Sequence, residues 1–160
     1  MKLSIILTVY NKESFLEDSL NALTNQENSG SLDYEVLVVD DGSTDGSSGI
    51  IDSYVKKDSR IRKLSQSNLG LSMARNNGTL KAKGDYIWYV DADDKISSNA
   101  VRLICEKISQ SPDVISFYAK TDGIDKIRNQ LPLTLKSGKE VLICNQWHSY
   151  SPRSIHRHQP

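Results

Sequence analysis

The chain has 160 residues, 38% hydrophobic and 25% charged, and its 20 Lys and Arg residues balance its 20 Asp and Glu residues. This length fits one domain, the composition excludes a disordered chain, and the zero net charge argues against a nucleic-acid partner. The two cysteines form neither a metal-binding pattern nor a disulfide framework, so we expect a reducing, cytoplasmic compartment. No segment reaches the ~20 apolar residues of a transmembrane helix.

The first part of the chain alternates between short apolar runs and amphipathic stretches. The predicted strands, of which the third is the weakest, are Leu3–Val9, Tyr34–Val39, Arg60–Leu64, Asp85–Val90 and Val114–Tyr118. The stretches between them carry apolar residues at helical spacing; the last of these has Val101, Ile104, Cys105 and Ile108. This alternation predicts an α/β fold, a mainly parallel sheet with helices on both faces.

Polar residues before two of these helices are candidate caps. We expect Ser43, Thr44 or Asp45 to cap the helix after the second strand. Ser97 or Ser98 is expected to cap the helix after the fourth strand.

The pattern weakens after Ala119. Leu131–Leu135 is a weak strand candidate, and residues 137–140 have the form of a capping box that opens a helix at Val141. Residues 151–160 show no periodicity and are expected to be a frayed end. We therefore divide the chain into an α/β domain at 1–120 and an incomplete, partly disordered segment at 121–160.

Polar clusters follow three of the predicted strands: Thr8 to Asn11, Asp40 and Asp41, and Asp91 to Asp94. In an open parallel sheet, ligands bind beyond the carboxyl ends of the strands, so the carboxylates of these clusters should converge on one edge. Such carboxylates repel one another, and the ordinary compensation is Mg²⁺ or Mn²⁺ shared with a phosphorylated substrate. The sequence therefore predicts a metal-dependent phosphate site.

Simpler interpretations exist for several of these residues. Asp-Asp-Gly after a strand is commonly only a turn with a helix cap. Arg75 is as readily a solvated helix residue as a phosphate ligand. His148, His156 and His158 lie in the weakly patterned tail and are poor candidates for metal binding. The chain has no P-loop, dinucleotide-binding or hydrolase-nucleophile motif.

Three segments, in order and spacing, resemble the family 2 glycosyltransferases of the GT-A fold: SIILTVYNKESFLEDSLNAL, YEVLVVDDGSTDGS and QSNLGLSMARNNGTLKAKGDYIWYVDADD. The resemblance implies a Rossmann-like GT-A fold. It also implies transfer of a sugar, usually with inversion, from a nucleotide diphosphate sugar (a UDP-sugar is expected) to a saccharide or lipid-linked acceptor. The expected setting is cell-surface polysaccharide synthesis, which allows peripheral contact with the inner face of the membrane.

The resemblance also implies a set of nucleotide-binding residues: Thr8, Tyr10, Asp40, Asp41, Arg75, Asp91, Ala92 and Asp93. In the family the first strand end frames the base, and the acidic doublet, especially Asp41, hydrogen-bonds the edge of the base. The position of Arg75 faces the nucleotide. Asp91-Ala92-Asp93 resembles the DxD motif, in which the first Asp contacts ribose or metal-bound water. The last, Asp93, binds the Mn²⁺ or Mg²⁺ ion that bridges the phosphates.

In that family the general base lies C-terminal to all of these motifs. The resemblance therefore implies a C-terminally truncated donor-binding part whose catalytic base is unknown. We expect it to bind donor without efficient transfer and to self-associate through apolar surface at 141–147. Two other functions stay open: a non-catalytic nucleotide-sugar-binding protein, and a haloacid-dehalogenase-type phosphatase with an aspartyl nucleophile in Asp91-Ala92-Asp93. The second leaves Arg75 and the acidic doublet without a role.

Overall fold

The computed structural model of the chain describes residues 2–94, 96–118, 134–136 and 152–157. Within these ranges seven strands form one sheet in the order β3-β2-β1-β4-β7-β5-β6. The strands are β1 (Leu3–Val9), β2 (Tyr34–Asp41), β3 (Ile61–Gln66), β4 (Tyr86–Asp91), β5 (Val114–Tyr118), β6 (Thr134–Lys136) and β7 (Pro152–Arg157). The helices are α1 (Glu13–Thr24), α2 (Ser47–Lys57), α3 (Leu71–Lys81) and α4 (Ala100–Ile108).

The first four strands form the parallel part of the sheet. β1 pairs in parallel with β2 and with β4, and β2 pairs in parallel with β3. Each parallel connection runs through a helix, as parallel pairing requires. The predicted α/β architecture is confirmed, and the carboxyl ends of β1, β2 and β4 meet at one edge.

Both faces of the sheet are covered by helices. Successive side chains of a strand point to opposite faces, so each strand contributes to the packing on both sides. This alternation is visible in β1, where Ile5 and Leu7 pack with the apolar residues of α1, α2 and α4. Ile6 packs instead with Ala74 of α3 and with Leu37 and Val39 of β2. One face therefore carries three helices and the other carries α3.

The packing of α3 depends on a glycine. A Cβ atom at Gly78 would lie 2.7 Å from Cγ2 of Ile6 and 3.1 Å from Cγ2 of Val39. At 2.7 Å the neighbouring atom would have to shift, so glycine at this position lets α3 approach the sheet this closely. The start of α3 lies beside the end of β2, where the Gly70 amide donates to Oδ2 of Asp41.

The C-terminal strands correct the sequence analysis. β7 lies between β4 and β5 and is antiparallel to both, so the prediction of a frayed end is wrong for residues 152–157. The segment PRSIHR has one aliphatic residue, Ile155, and no alternation of apolar and polar positions. Its strand conformation comes from backbone pairing on both sides, which a side-chain pattern does not reveal. β6 begins at Thr134 and overlaps the predicted Leu131–Leu135 strand only in part.

Helix starts also differ from the prediction. α4 begins after Asn99 with no side-chain cap, so neither Ser97 nor Ser98 has the predicted role. The Val101 amide instead donates to Oε1 of buried Gln26, which lies just beyond α1. α2 begins after Gly46, but Oδ1 of Asp45 does accept a hydrogen bond from the Ser47 amide (3.0 Å).

Several predictions fall outside the described residues, among them the helix from Val141, the apolar surface at 141–147, His148 and His158. The boundary at residue 120 stays a prediction; both predicted parts contribute strands to the one sheet. Among the helices in the described ranges, none is long and apolar enough to cross a bilayer.

Candidate functional site

The strand ends that carry the polar clusters are direct neighbours in the sheet. Thr8 is paired with Val39 on one side and with Asp91 on the other, and Val9 is paired with Asp40. The structure thus brings the three predicted clusters together along one edge, called the rim below. Thr8 is half-buried there, whereas Tyr10 is 45% exposed.

The loops after β1 and β2 are fastened to each other. Asn11, in a left-handed conformation (φ 51°), accepts a hydrogen bond at Oδ1 from the Thr44 amide (2.8 Å). The Glu13 amide donates to Oδ2 of Asp45 (3.1 Å), and Oε2 of Glu13 accepts from the Gly46 amide (2.9 Å). The hydrogen bonds of Ser47 to Asp45 help to lower the pKa of that carboxyl group. These reciprocal bonds fix the loop that bears Tyr10.

The acidic doublet is buried and has intramolecular partners. Asp40 accepts a hydrogen bond from the Ser43 amide (3.0 Å). Oδ1 of Asp41 accepts from Nε2 of Gln66 (2.7 Å) and from the Leu69 amide (2.8 Å), and Oδ2 accepts from the Gly70 amide (2.9 Å). Asp41 therefore holds the turn that leads from β3 into α3. A role in base recognition, which the resemblance implies, stays a prediction.

Arg75 lies beside the end of β4. Its Nη2 donates to Oδ1 of Asp91 (2.8 Å), and its guanidinium lies over the Tyr89 ring, 5.7 Å from the centroid. Arg75 Nε is buried without a hydrogen-bond partner. The side chains of Arg75 and Asp91 are 32% and 31% exposed, so this ion pair is accessible from the rim. Both residues belong to the predicted nucleotide-binding set, but their pairing is not evident from the sequence.

Asp93 has a basic partner that the sequence analysis missed. Nζ of Lys12 donates to Oδ2 of Asp93 (2.8 Å), and the two side chains are 37% and 46% exposed. The Lys12 ammonium also lies 5.8 Å from the centre of the Phe15 ring. Lys12 could have been noticed as the one basic residue that directly follows the first polar cluster.

The segment that carries Asp93 is held from behind by α1. Oγ of Ser19 donates to the carbonyl oxygen of Ala92, which is buried. Nε2 of Gln26 donates to the carbonyl oxygen of Ser97 (2.9 Å), and the Asp94 amide donates to the Asp91 carbonyl (3.0 Å). The acidic turn is thus built on a helix and not on a free loop. Ala92 can take part in a nucleotide site only through its backbone, since its side chain faces the core.

The charges on the rim are balanced differently from the prediction. Among the described residues, no three His, Cys, Asp or Glu side chains are grouped so that they could hold a metal ion. Arg75, Lys12 and backbone amides partner the acids instead, so mutual repulsion is not by itself a reason for a metal ion. Asp91 and Asp93 nevertheless present accessible carboxylates. That donor set suits Mg²⁺ or Mn²⁺, because ions shared with a substrate phosphate commonly use only one or two protein carboxylates.

Comparison with known proteins gives concordant results. The family described as "Glycosyl transferase family 2" matches residues 4–156. The chain is 42% identical over 121 residues to the uncharacterized glycosyltransferase EpsJ of Bacillus subtilis. It is also 42% identical over 103 residues to the poly(ribitol-phosphate) beta-glucosyltransferase of Bacillus spizizenii. The crystal structure of S. aureus TarS 1–349 in complex with UDP superimposes with a TM-score of 0.76 and 28% identity.

The matches differ in how much of each protein they cover. The EpsJ match spans 74% of this chain and 34% of EpsJ, and the match to the beta-glucosyltransferase spans 63% of this chain and 16% of that protein. The TarS match covers 99% of this chain and 47% of the TarS chain. The chain therefore spans less than half the length of each of these three relatives.

Proposed function

The chain belongs to the family 2 glycosyltransferases and has their GT-A fold, and from this we propose that it serves in the transfer of a sugar from a nucleotide diphosphate sugar to a saccharide or lipid-linked acceptor. One observation carries the proposal: the carboxylates of Asp91 and Asp93 are accessible at the end of β4, on the rim where β1 and β2 also end. Each is paired with a basic side chain, Arg75 or Lys12. UDP is the proposed nucleotide, because TarS structures contain UDP and UDP-GlcNAc. Cell-surface polysaccharide synthesis is the proposed setting, since one relative is named for poly(ribitol-phosphate).

The base and ribose are proposed to lie along β1 and β2. Tyr10 offers an exposed ring for contact with the base, and Thr8 is the direct pairing partner of Asp91. Asp41 and its neighbour Asp40 are proposed to line the side of the site next to the base. The hydrogen bonds between the two loops keep these groups in place before the nucleotide arrives, which reduces the entropy lost on binding.

The diphosphate is proposed to lie between the ends of β1 and β4. Arg75 would neutralise phosphate charge from the α3 side, and Asp91 and Asp93 would hold Mn²⁺ or Mg²⁺. A divalent ion bound there would supply Lewis-acid stabilisation of the leaving diphosphate. Inverting transfer also needs a general base that removes the proton of the acceptor hydroxyl. We assign that role to none of the described residues.

A second candidate function is nucleotide-sugar binding without transfer, because every proposed donor contact lies between Thr8 and Asp93 while no base is assigned. The phosphatase considered from the sequence is not supported, since the family and the superimposed structures are those of glycosyltransferases. We propose a cytoplasmic location, with which the free thiol of Cys105 is consistent.

Calorimetric titration with UDP, GDP and dTDP, with Mn²⁺ and with EDTA, tests the proposal. We expect UDP to bind most tightly and Mn²⁺ to strengthen binding. Asp93→Ala should remove the part that depends on Mn²⁺. Asp52→Ala is the matched control, because Asp52 is an exposed, ion-paired aspartate on α2. Equal affinity of Asp93→Ala and the wild type in Mn²⁺ would contradict the metal assignment. Release of UDP from UDP-GlcNAc that depends on an acceptor separates transfer from binding alone.

A further inference from the structure

We propose that Lys12 is a phosphate-binding residue, held on Asp93 until the donor arrives and then transferred to the diphosphate. The inference rests on the proposed function of the rim. It starts from the ion pair between Nζ of Lys12 and Oδ2 of Asp93, 2.8 Å apart, which joins residues 81 positions apart in sequence. The pair places the Lys12 ammonium group directly on the carboxylate that is proposed to bind the metal ion.

The position of Lys12 is a poor one for a lysine on structural grounds alone. Lys12 is the N-cap residue of α1 and makes no side-chain cap. Acidic and hydroxyl side chains are preferred at this position, because the N-terminus of a helix carries partial positive charge. A half-exposed ion pair also adds little to stability, typically ~0–1 kcal/mol. Helix formation and folding therefore do not account for a lysine here.

The backbone of Lys12 is fixed while its ammonium group can move. The Lys12 amide donates to Oγ of Ser47 (3.1 Å), which anchors the residue to the start of α2. A lysine side chain is a flexible four-carbon stem that ends in a compact charge. The ammonium group can therefore exchange partners along the rim without a change in the fold.

A metal ion bound at Asp93 would compete with the Lys12 ammonium group for the same carboxylate. A divalent cation on Oδ2 of Asp93 would repel the ammonium group and displace it. The nearest new source of negative charge would be the diphosphate that accompanies the metal ion. Lys12 would then neutralise phosphate charge from the β1 side, opposite Arg75 on the α3 side.

The first test compares UDP with uridine, which lacks the phosphates, by titration calorimetry of the same chain in Mn²⁺. Lys12→Met should bind UDP about tenfold more weakly than the wild type, as expected for the loss of one charge-assisted contact. Its affinity for uridine should be unchanged. Lys12→Arg should stay within about threefold of the wild type, because the charge is kept. Lys57→Met is the matched control, since Lys57 also lies over an aromatic ring, Tyr54, but in the last turn of α2.

A double-mutant cycle with Asp93 tests the exchange of partners. In EDTA, Asp93→Asn should strengthen UDP binding about fivefold, because Lys12 is released toward the phosphates and a repelling charge is removed. Of these two effects, only the release toward the phosphates requires Lys12. In the Lys12→Met background, the gain in UDP affinity caused by Asp93→Asn should therefore be about threefold smaller. In Mn²⁺ the same Asp93→Asn change should weaken binding. Additive effects of the two substitutions in EDTA would overturn the exchange.

The outcomes separate this inference from the proposed function. If the wild type binds UDP and Lys12→Met binds it equally well, the role of Lys12 is wrong and the proposed function stands. If Lys12→Met weakens UDP and uridine alike, Lys12 has a structural role only and the inference is overturned. If the wild type binds neither UDP nor another nucleoside diphosphate, both are overturned.

Discussion

Asp41 illustrates how one residue can have two roles on the rim. Its carboxylate holds Gln66, Leu69 and Gly70, and the resemblance assigns it to the base. Asp41→Ala should destabilise the fold by about 1–3 kcal/mol, because three donors lose a charged acceptor. It should also weaken UDP binding about tenfold or more, with and without Mn²⁺. Urea unfolding and calorimetry measure the two effects. Loss of only the Mn²⁺-dependent part would instead assign Asp41 to the metal site.

Gln66→Ala is the informative companion of Asp41→Ala. It removes one of the donors that hold the turn but keeps the carboxylate of Asp41. If Asp41 acts on the nucleotide directly, Gln66→Ala should lower stability and leave most of the UDP affinity. Equal losses of affinity in the two variants would show that Asp41 acts only by positioning the turn before α3.

At the scale of elements, Ser19 of α1 supports the acidic segment, and Gln26, just beyond α1, contacts the start of α4. The buried amide of Gln26 donates to the carbonyl oxygens of Ala22 and Ser97 and accepts from the Val101 amide. Gln26→Ala would leave the Val101 amide without its cap. We expect a loss of about 2–3 kcal/mol and faster hydrogen exchange at the start of α4.

Asn99→Ala is the control for Gln26→Ala. Asn99 occupies the N-cap position of α4 but makes no side-chain cap there, so its replacement should change stability by less than about 0.5 kcal/mol. A larger loss for Asn99→Ala than for Gln26→Ala would contradict the assignment of the cap to Gln26.

At the scale of the whole molecule, Glu35 ties the amino ends of several strands together. Its side chain is 1% exposed and accepts hydrogen bonds from Oγ of Ser4 (2.6 Å), the Lys83 amide (2.7 Å) and Nη1 of Arg62 (2.7 Å). Burial raises the pKa of Glu35, but the hydrogen bonds from Ser4, Arg62 and Lys83 outweigh it. The pKa is therefore held below its ordinary value of 4.5.

This lowered pKa predicts a pH dependence of stability. Below pH 4.5 the unfolded chain takes up a proton at Glu35 before the folded chain does. The stabilisation is thus complete above that pH and is lost as the pH falls through the lower folded pKa. Glu35→Gln should cost about 1–3 kcal/mol at neutral pH, and the difference from wild type should shrink below pH 4.5. Urea unfolding across this range measures it, with exposed Glu17 changed to Gln as control. A difference that does not vary with pH would refute the assignment.

The sequence by itself determined the parallel half of the fold and the location of the rim. The alternation of strands and helices is a local pattern, since burial of the apolar residues of β1 or of Val101, Ile104 and Ile108 follows from spacing within one element. The acids at the strand ends are equally visible, because a polar cluster after an apolar run marks the carboxyl end of a strand. Their convergence followed from the rule that parallel strands share an edge.

Only the tertiary structure decided which groups pair across that edge and which strands complete the sheet. Lys12 and Asp93 are 81 positions apart, and Gln26 caps a helix 75 positions away. The strand β7 could not be predicted from the side-chain pattern, because its sequence does not alternate between apolar and polar residues. Its place between β4 and β5 depends on backbone hydrogen bonds. Such contacts depend on the order of the strands and on how closely the helices pack, and no local spacing encodes them. The physical reason is that burial periodicity is a property of one element, whereas a charge or an amide is satisfied by whatever group the fold brings within reach.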